Sequence, residues 1–106
     1  MTPEWKDATS YRQGERGKIE PRSWKMCIGE WRIWISCGHV YYPGEWIVTC
    51  RAIDISKHRL GMIADMSTQD ARRLALVVVR EKAMNLAKHI YDTAAQLPVE
   101  PAGDSK

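Results

Sequence analysis

The most informative segment of the sequence is WRIWISCGHVYYPGEWIVTCRAIDI, residues 31–55. At its centre, Tyr42-Pro43-Gly44-Glu45 has the composition of a type II turn, because proline presets the backbone at the second position and glycine accepts the positive φ of the third. Apolar and polar residues alternate on both sides, as they do in strands. We therefore expect a β-hairpin in which Tyr42 pairs with Glu45.

This register predicts the two faces of the hairpin. It places Cys50 opposite Cys37 and Val48 opposite His39. The more apolar face should meet the rest of the core and consists of Ile33, Ile35, Cys37, Tyr41, Trp46, Val48, Cys50 and Ala52. The other face is mixed and consists of Arg32, Trp34, Ser36, Val40, Tyr42, Ile47, Thr49, Arg51 and Ile53.

The flanking sequence adds strands and one helix. Residues 24–35 alternate with a break at Gly29-Glu30, which suits a turn between two strands or a bulge within one. A short extra strand is expected within residues 59–64. Ser67-Thr68-Gln69-Asp70 is a capping box that opens a helix, and the helical pattern runs to Leu97 before Pro98. The fold class predicted is α+β: an antiparallel sheet of two to four strands packed against one long C-terminal helix.

The predicted helix has two apolar seams. Ala71, Leu74, Ala75 and Val78 form the seam that we expect on the sheet. The second seam runs Leu76, Val79, Ala83, Leu86, Ile90, Ala94 and Leu97 in steps of three and four residues. A short sheet can cover only one seam, and only over part of its length. We therefore expect the second seam to be covered either by the N-terminal arm folding back over it or by self-association. We expect a homodimer through the C-terminal helix.

Composition indicates one small domain with tails. Hydrophobic residues are 44% and charged residues 27% of 106 residues, which is ordinary for a globular protein. Residues 1–23 lack an apolar period and are predicted to be a flexible N-terminal arm, residues 24–97 the single domain, and residues 98–106 a disordered tail. The net charge of +3 is not concentrated in any segment, so it permits nucleic-acid binding without requiring it.

The expected location is the cytoplasm. The N-terminal residues are polar and show no secretory signal, and no stretch approaches the roughly 18 apolar residues of a membrane span. Three cysteines are an odd number, and in a chain without an export signal reduced thiols are the expected state.

Few residues point to chemistry. Cys27, Cys37, His39 and Cys50 could in principle hold zinc, but their spacing differs from the paired C-x₂₋₄-C ligands of zinc knuckles. We instead expect the cysteines to be small buried residues, with neither metal nor disulfide. No phosphate loop, nucleophile elbow or metalloprotease motif is present. We therefore expect no catalytic residue, no cofactor and no enzyme activity.

Two residue sets point to binding instead. Arg32, Trp34, Tyr42 and Arg51 share the mixed face of the hairpin; aromatic and arginine side chains on a sheet stack single-stranded bases and also dominate protein interfaces. Arg73 and Arg80 are seven residues apart and share one side of the helix. Five tryptophans exceed what so small a sheet can bury, so at least one, Trp34, is expected to be exposed.

The hairpin WRIWISCGHVYYPGEWIVTC, followed by STQDARRLA and a long helix, resembles small accessory proteins of temperate bacteriophages and mobile elements. Such proteins often occlude a host machine, as anti-CRISPR proteins and other host-takeover inhibitors do. The resemblance implies a non-enzymatic binding protein that blocks or modulates a larger host protein or nucleoprotein complex. A small DNA- or RNA-binding regulator is the alternative.

Overall fold

A computed structural model describes residues 3–99. The chain forms a five-stranded antiparallel sheet in the order β1-β2-β3-β4-β5, followed by one helix. The strands are β1 Lys6–Asp7, β2 Ser23–Ile28, β3 Trp31–His39, β4 Tyr42–Cys50 and β5 Ile55–Met62, and the helix is α1 Thr68–Ala94. Short 3₁₀ turns cover Arg51–Ile53 and Ile63–Asp65. The α+β class is confirmed, whereas the predicted two to four strands were too few.

The break at Gly29-Glu30 is a turn between β2 and β3. Gly29 has a φ of +59°, a conformation that side chains other than glycine adopt at a cost. Ile28 pairs directly with Trp31 across the turn. Of the two predictions for this glycine, the turn between strands is therefore confirmed.

The predicted hairpin turn at Tyr42–Glu45 is wrong. The chain reverses at Val40-Tyr41, and His39 pairs with Tyr42. Pro43 and Gly44 lie within β4, where the register shifts opposite Cys37 and His39. Proline has no N–H to donate to a ladder, and such bulges are among the places where a strand tolerates it. The Pro-Gly pair therefore marks an irregularity in the strand.

The corrected register leaves most of the face assignment intact. Cys37 pairs with Trp46, four residues before the predicted partner Cys50. An even shift keeps each side chain on the same face, because side chains alternate with a period of two. Ile33, Ile35, Trp46, Val48 and Cys50 are accordingly all buried in the core on the side of the sheet that faces α1.

The 3₁₀ turn after β4 exchanges the faces that were predicted for Ala52 and Ile53. Ala52 was expected on the apolar face and Ile53 on the mixed face. The turn at Arg51–Ile53 interrupts the alternation, so Ile53 is 3% exposed in the core and Ala52 is exposed. Tyr41 was also expected on the apolar face, but it lies in the hairpin turn and is exposed.

Helix α1 begins where the capping box predicts. The Ser67 side chain accepts a hydrogen bond from the Asp70 N–H at 3.1 Å, and the Asp70 carboxylate accepts one from the Ser67 N–H at 3.2 Å. These two bonds satisfy donors that the first turn of a helix otherwise leaves unpaired. The helix proper ends at Ala94, three residues before the predicted end.

The division of the helix into two seams does not describe its packing. The buried row is Ala71, Ala75 and Val79, which combines two residues of the first seam with one of the second. Alanine on this row lets the helix approach the sheet closely, and Leu76, Ala83 and Leu86 flank it. Beyond Leu86 every helical residue is exposed, so α1 extends past the sheet. The protein is elongated as a result, at 71 × 26 × 26 Å.

The N-terminal residues lie against β2. Lys6 and Asp7 pair with Lys25 and Trp24, and the Thr9 hydroxyl accepts from the N–H of Arg22 at 2.9 Å and of Ser23 at 3.1 Å. The division into arm, domain and tail stays a prediction, and from residue 100 onward the predicted tail lies outside the described residues. Within residues 3–99 no helix is both long and apolar enough to cross a membrane.

Candidate functional site

The side of the sheet turned away from α1 carries most of the predicted binding residues; we call it the outer face. Its central row runs across four strands through Lys6, Lys25, Trp34 and Thr49, which pair successively. Because paired residues point to the same side of a sheet, their side chains share this face. The outer face is therefore mixed in character, as the sequence predicted.

Three predicted binding residues come together in one hollow. Arg32, Trp34 and Arg51 line a depression of about 250 Å³ with Glu30 and Ala52. Arg32 and Trp34 alternate with buried Ile33 on β3, and the 3₁₀ turn after β4 brings Arg51 beside them. We call this depression the Trp34 hollow. It combines one indole with two guanidinium groups and one carboxylate.

The cations around the hollow are available to a partner. Among the ion pairs formed within residues 3–99, none involves Lys6, Lys25, Arg32 or Arg51. The arginines are exposed, and Lys25 is half-buried beside Trp34. Carboxylates near this face include Glu4, Glu30 and Glu45, and Glu45 is engaged by Arg59 at 2.8 Å. The positive charge of the outer face only slightly exceeds its negative charge, and it lies on long side chains that can change orientation.

Tyr42 belongs to a different part of the outer face. The Arg59 guanidinium lies 5.4 Å from the centroid of its ring, and the His39 ring lies 6.1 Å from it. Hydrogen bonding to Glu45 raises the pKa of Arg59, so this arginine stays charged. Tyr42 is thus packed at the hairpin end of the sheet, and it does not line the Trp34 hollow.

Arg73 and Arg80 lie on the opposite side of the molecule. Both are exposed on α1, on the surface away from the buried row of Ala71, Ala75 and Val79. Arg73 lies 3.9 Å from Asp70, a long and solvent-exposed contact. A single partner surface cannot join these arginines to Arg32 and Arg51 without wrapping around the domain.

Comparison with family models, with curated proteins and with solved structures finds no match. The resemblance to phage accessory proteins therefore stays a prediction.

The prediction that Trp34 is exposed is wrong. Trp34 is half-buried, as are Trp5, Trp24 and Trp31, while Trp46 is buried at 3% exposed. The protein hides more indole surface than expected because Trp5, Trp24 and Trp31 pack against the core and Arg72 of α1 stacks on Trp24. The exposed apolar side chains lie elsewhere, notably at Ile90 and Tyr91 on the helix.

The cysteine and histidine set does not assemble. Cys27 is exposed on the outer face, whereas Cys37 and Cys50 lie on the inner face. Cys37 is opposite Trp46 and Cys50 is opposite Ile55, so the predicted opposition of the two cysteines is wrong. Burial raises the pKa of both thiols, which disfavours the thiolate that would bind a metal or act as a nucleophile. No metal-holding group of three ligands occurs among residues 3–99.

Sequence reasoning anticipated only part of a second concave surface. The extended part of α1 and the end of the sheet form a groove of about 390 Å³, lined by Trp31, Ile53, Ala83, Met84, Leu86, Ala87 and Ile90. Part of this lining was visible as the second helical seam. Trp31 and Ile53 could not be foreseen there, because the 3₁₀ turn that moves Ile53 inward has no clear signal in the sequence. We call this surface the apolar groove.

Proposed function

We propose that this protein is a non-catalytic binding protein that modulates a larger host protein or nucleoprotein complex by covering an anionic surface on it, in the manner of phage-type inhibitors. The working surface is the outer face around the Trp34 hollow. The observation that carries the proposal is the convergence of Arg32, Trp34 and Arg51 on one depression.

The chemistry of the hollow suits a carboxylate- or phosphate-bearing partner. Arginine binds such groups through two parallel N–H···O bonds, and its planar guanidinium also stacks on aromatic rings. Tryptophan and arginine are the residues that most often dominate interface energies. Arg32 and Trp34 lie on β3, the middle strand of the five-stranded sheet, so the backbone that carries them is a rigid support.

Direct nucleic-acid binding is the second candidate, and the row Lys6–Lys25–Trp34 favours it. A half-buried indole flanked by cations on a sheet surface is the arrangement with which proteins stack bases and follow a phosphate backbone. This candidate predicts binding to single-stranded oligonucleotides that weakens steeply as salt rises.

The test compares two double variants of equal charge. Arg32→Ala with Arg51→Ala alters the hollow, and Arg73→Ala with Arg80→Ala removes the same two charges from the opposite side. Each protein is immobilised and exposed to nuclease-treated host lysate, and the captured partner is then titrated. The hollow variant should bind that partner more weakly by roughly thirtyfold per arginine, if each behaves as an interface hot spot. The control should bind as the parent does.

Nuclease treatment separates the two candidates. Capture that survives nuclease and is lost in the hollow variant supports the inhibitor. Capture that disappears with nuclease, together with oligonucleotide binding whose logarithmic salt slope is about −3 for four neutralised phosphates, supports the regulator. An equal loss of partner binding in both double variants, or a loss only in the Arg73→Ala, Arg80→Ala control, would contradict a role for the outer face.

A further inference from the structure

The extended end of α1 carries a continuous strip of uncharged side chains that the rest of the described chain covers only at its beginning, where Ala83 and Leu86 are half-buried. We call this the apolar strip, and it consists of Ala83, Leu86, Ala87, Ile90, Ala94 and Leu97. Ile90 is 58% exposed and Leu97 is 65% exposed. Beyond Ala94 the chain continues as tight turns, in which the Leu97 N–H donates to the Ala94 carbonyl at 3.1 Å. The strip begins in the apolar groove and runs away from the sheet.

We propose that a second copy of this chain covers the strip, with the two helices antiparallel and Ile90 at the two-fold axis. Such an arrangement is isologous, since each copy supplies the same surface. It places Leu97 of one copy level with Ala83 of the other, and Ala94 level with Leu86. Large side chains thus face small ones, as interdigitated helix packing requires. The end of each strip enters the partner's groove beside Trp31 and Ile53.

Charge favours a second copy over a charged partner. Lys88 and Asp92 pair with each other at 3.4 Å on the far side of the helix from Ile90, so the strip itself carries no full charge. Lys82 borders the strip eight residues before Ile90. The two Lys82 residues of the dimer therefore lie about 24 Å apart along the helix axis. This distance is well beyond a Debye length of about 8–10 Å, so salt screens their repulsion. Two copies can meet along the strip without opposed like charges.

Residues 100–106 lack the composition needed to cover the strip. Glu100 to Lys106 read EPAGDSK and include no large apolar side chain. The dimer also leaves the outer face free, because α1 packs on the inner side of the sheet. The dimer and the proposed function are therefore independent: the outer face can bind its partner whether or not the strip pairs.

The first test measures mass as a function of concentration by light scattering after size exclusion. The parent should approach twice the 12.2 kDa chain mass. Ile90→Asp places two carboxylates at the axis and should raise the dissociation constant on the order of a hundredfold or more. Val77→Asp is the matched control, because Val77 is 45% exposed on α1 and roughly 140° around the helix from Ile90. It should dimerise as the parent does, and circular dichroism should show all three folded.

A cross-link tests the geometry of the pair. In a Cys27→Ser background, Ile90→Cys should form an intermolecular disulfide on mild oxidation, whereas Val77→Cys should not. A parent that is monomeric at every concentration overturns the proposal. So does a dimer that Ile90→Asp leaves intact, a dimer that both aspartate variants disrupt equally, or equal cross-linking at both cysteine positions.

Discussion

The guanidinium carbon of Arg72 lies 3.8 Å from the centroid of the Trp24 ring, and this stacking joins the beginning of α1 to β2. Both side chains are half-buried, and neither the Arg72 Nε nor the Trp24 Nε1 has a hydrogen-bond partner in the described chain. The face of the indole is the negative end of its quadrupole, so it attracts the cation. The contact therefore aligns the helix on the sheet without a hydrogen bond.

Arg72→Ala should lower the free energy of unfolding by about 1–2 kcal/mol, because it removes a partly desolvated cation–π contact and the packing of the arginine stem. Its neighbour Arg73 is exposed, so Arg73→Ala should change stability by less than about 0.5 kcal/mol. Urea denaturation followed by tryptophan fluorescence measures both. Equal effects of the two substitutions would show that the stacking does not stabilise the fold.

Thr9 should hold the N-terminal residues against the sheet. Its hydroxyl accepts two backbone hydrogen bonds and donates to the Ser23 carbonyl at 3.3 Å, at a site where Thr9 is 9% exposed. Thr9→Val keeps the shape of the side chain but leaves two partly buried N–H groups without an acceptor, which should lower the free energy of unfolding by about 1–3 kcal/mol. Amide exchange at residues 22–25 should accelerate in this variant and stay unchanged in Ser10→Ala. Unchanged exchange in Thr9→Val would favour the flexible arm that the sequence predicts.

Alkaline pH should weaken the fold through the two thiols on the inner face of the sheet. Burial raises the pKa of Cys37 and Cys50 above the usual 9.0, so the folded chain holds these protons more tightly than the unfolded chain. The contribution of the two protonated thiols to the free energy of unfolding is fully present below pH 9.0, and it is lost as the pH rises through their pKa values in the folded chain. The free energy of unfolding should therefore fall more steeply above this pH in the parent than in a Cys37→Ala, Cys50→Ala variant. Cys27→Ala is the control and should keep the parent's slope, since Cys27 is exposed.

Periodicity predicted the elements of this fold better than their connections. The alternation through β2 to β4 and the capping box at Ser67 are strong local patterns, and the structure confirms both. The hairpin turn was misplaced because Pro43-Gly44 suits a turn and a bulge equally well. The true turn, Val40-Tyr41, has neither glycine nor asparagine, and the positive φ of +76° falls on Gly38 just before it.

The candidate site was predicted in part for the same reason. Arg32 and Trp34 were placed together correctly, since an even register shift preserves the face of every residue in β3. Arg51 was also placed on this face, and it follows Thr49, the partner of Trp34, by two residues; the 3₁₀ turn that begins at Arg51 was not predicted. Tyr42 was separated from the hollow by contacts with Arg59 and His39, which lie far from it in the sequence or across the turn. Such contacts depend on tertiary packing.

The most direct test of the outer face as the binding surface is hydrogen–deuterium exchange of the chain alone and in complex with its captured partner. We expect new protection within residues 30–36 and 49–52, which surround the Trp34 hollow, and no change within residues 72–80 of the helix. Protection confined to the helix, with residues 30–36 exchanging as in the free chain, would contradict it.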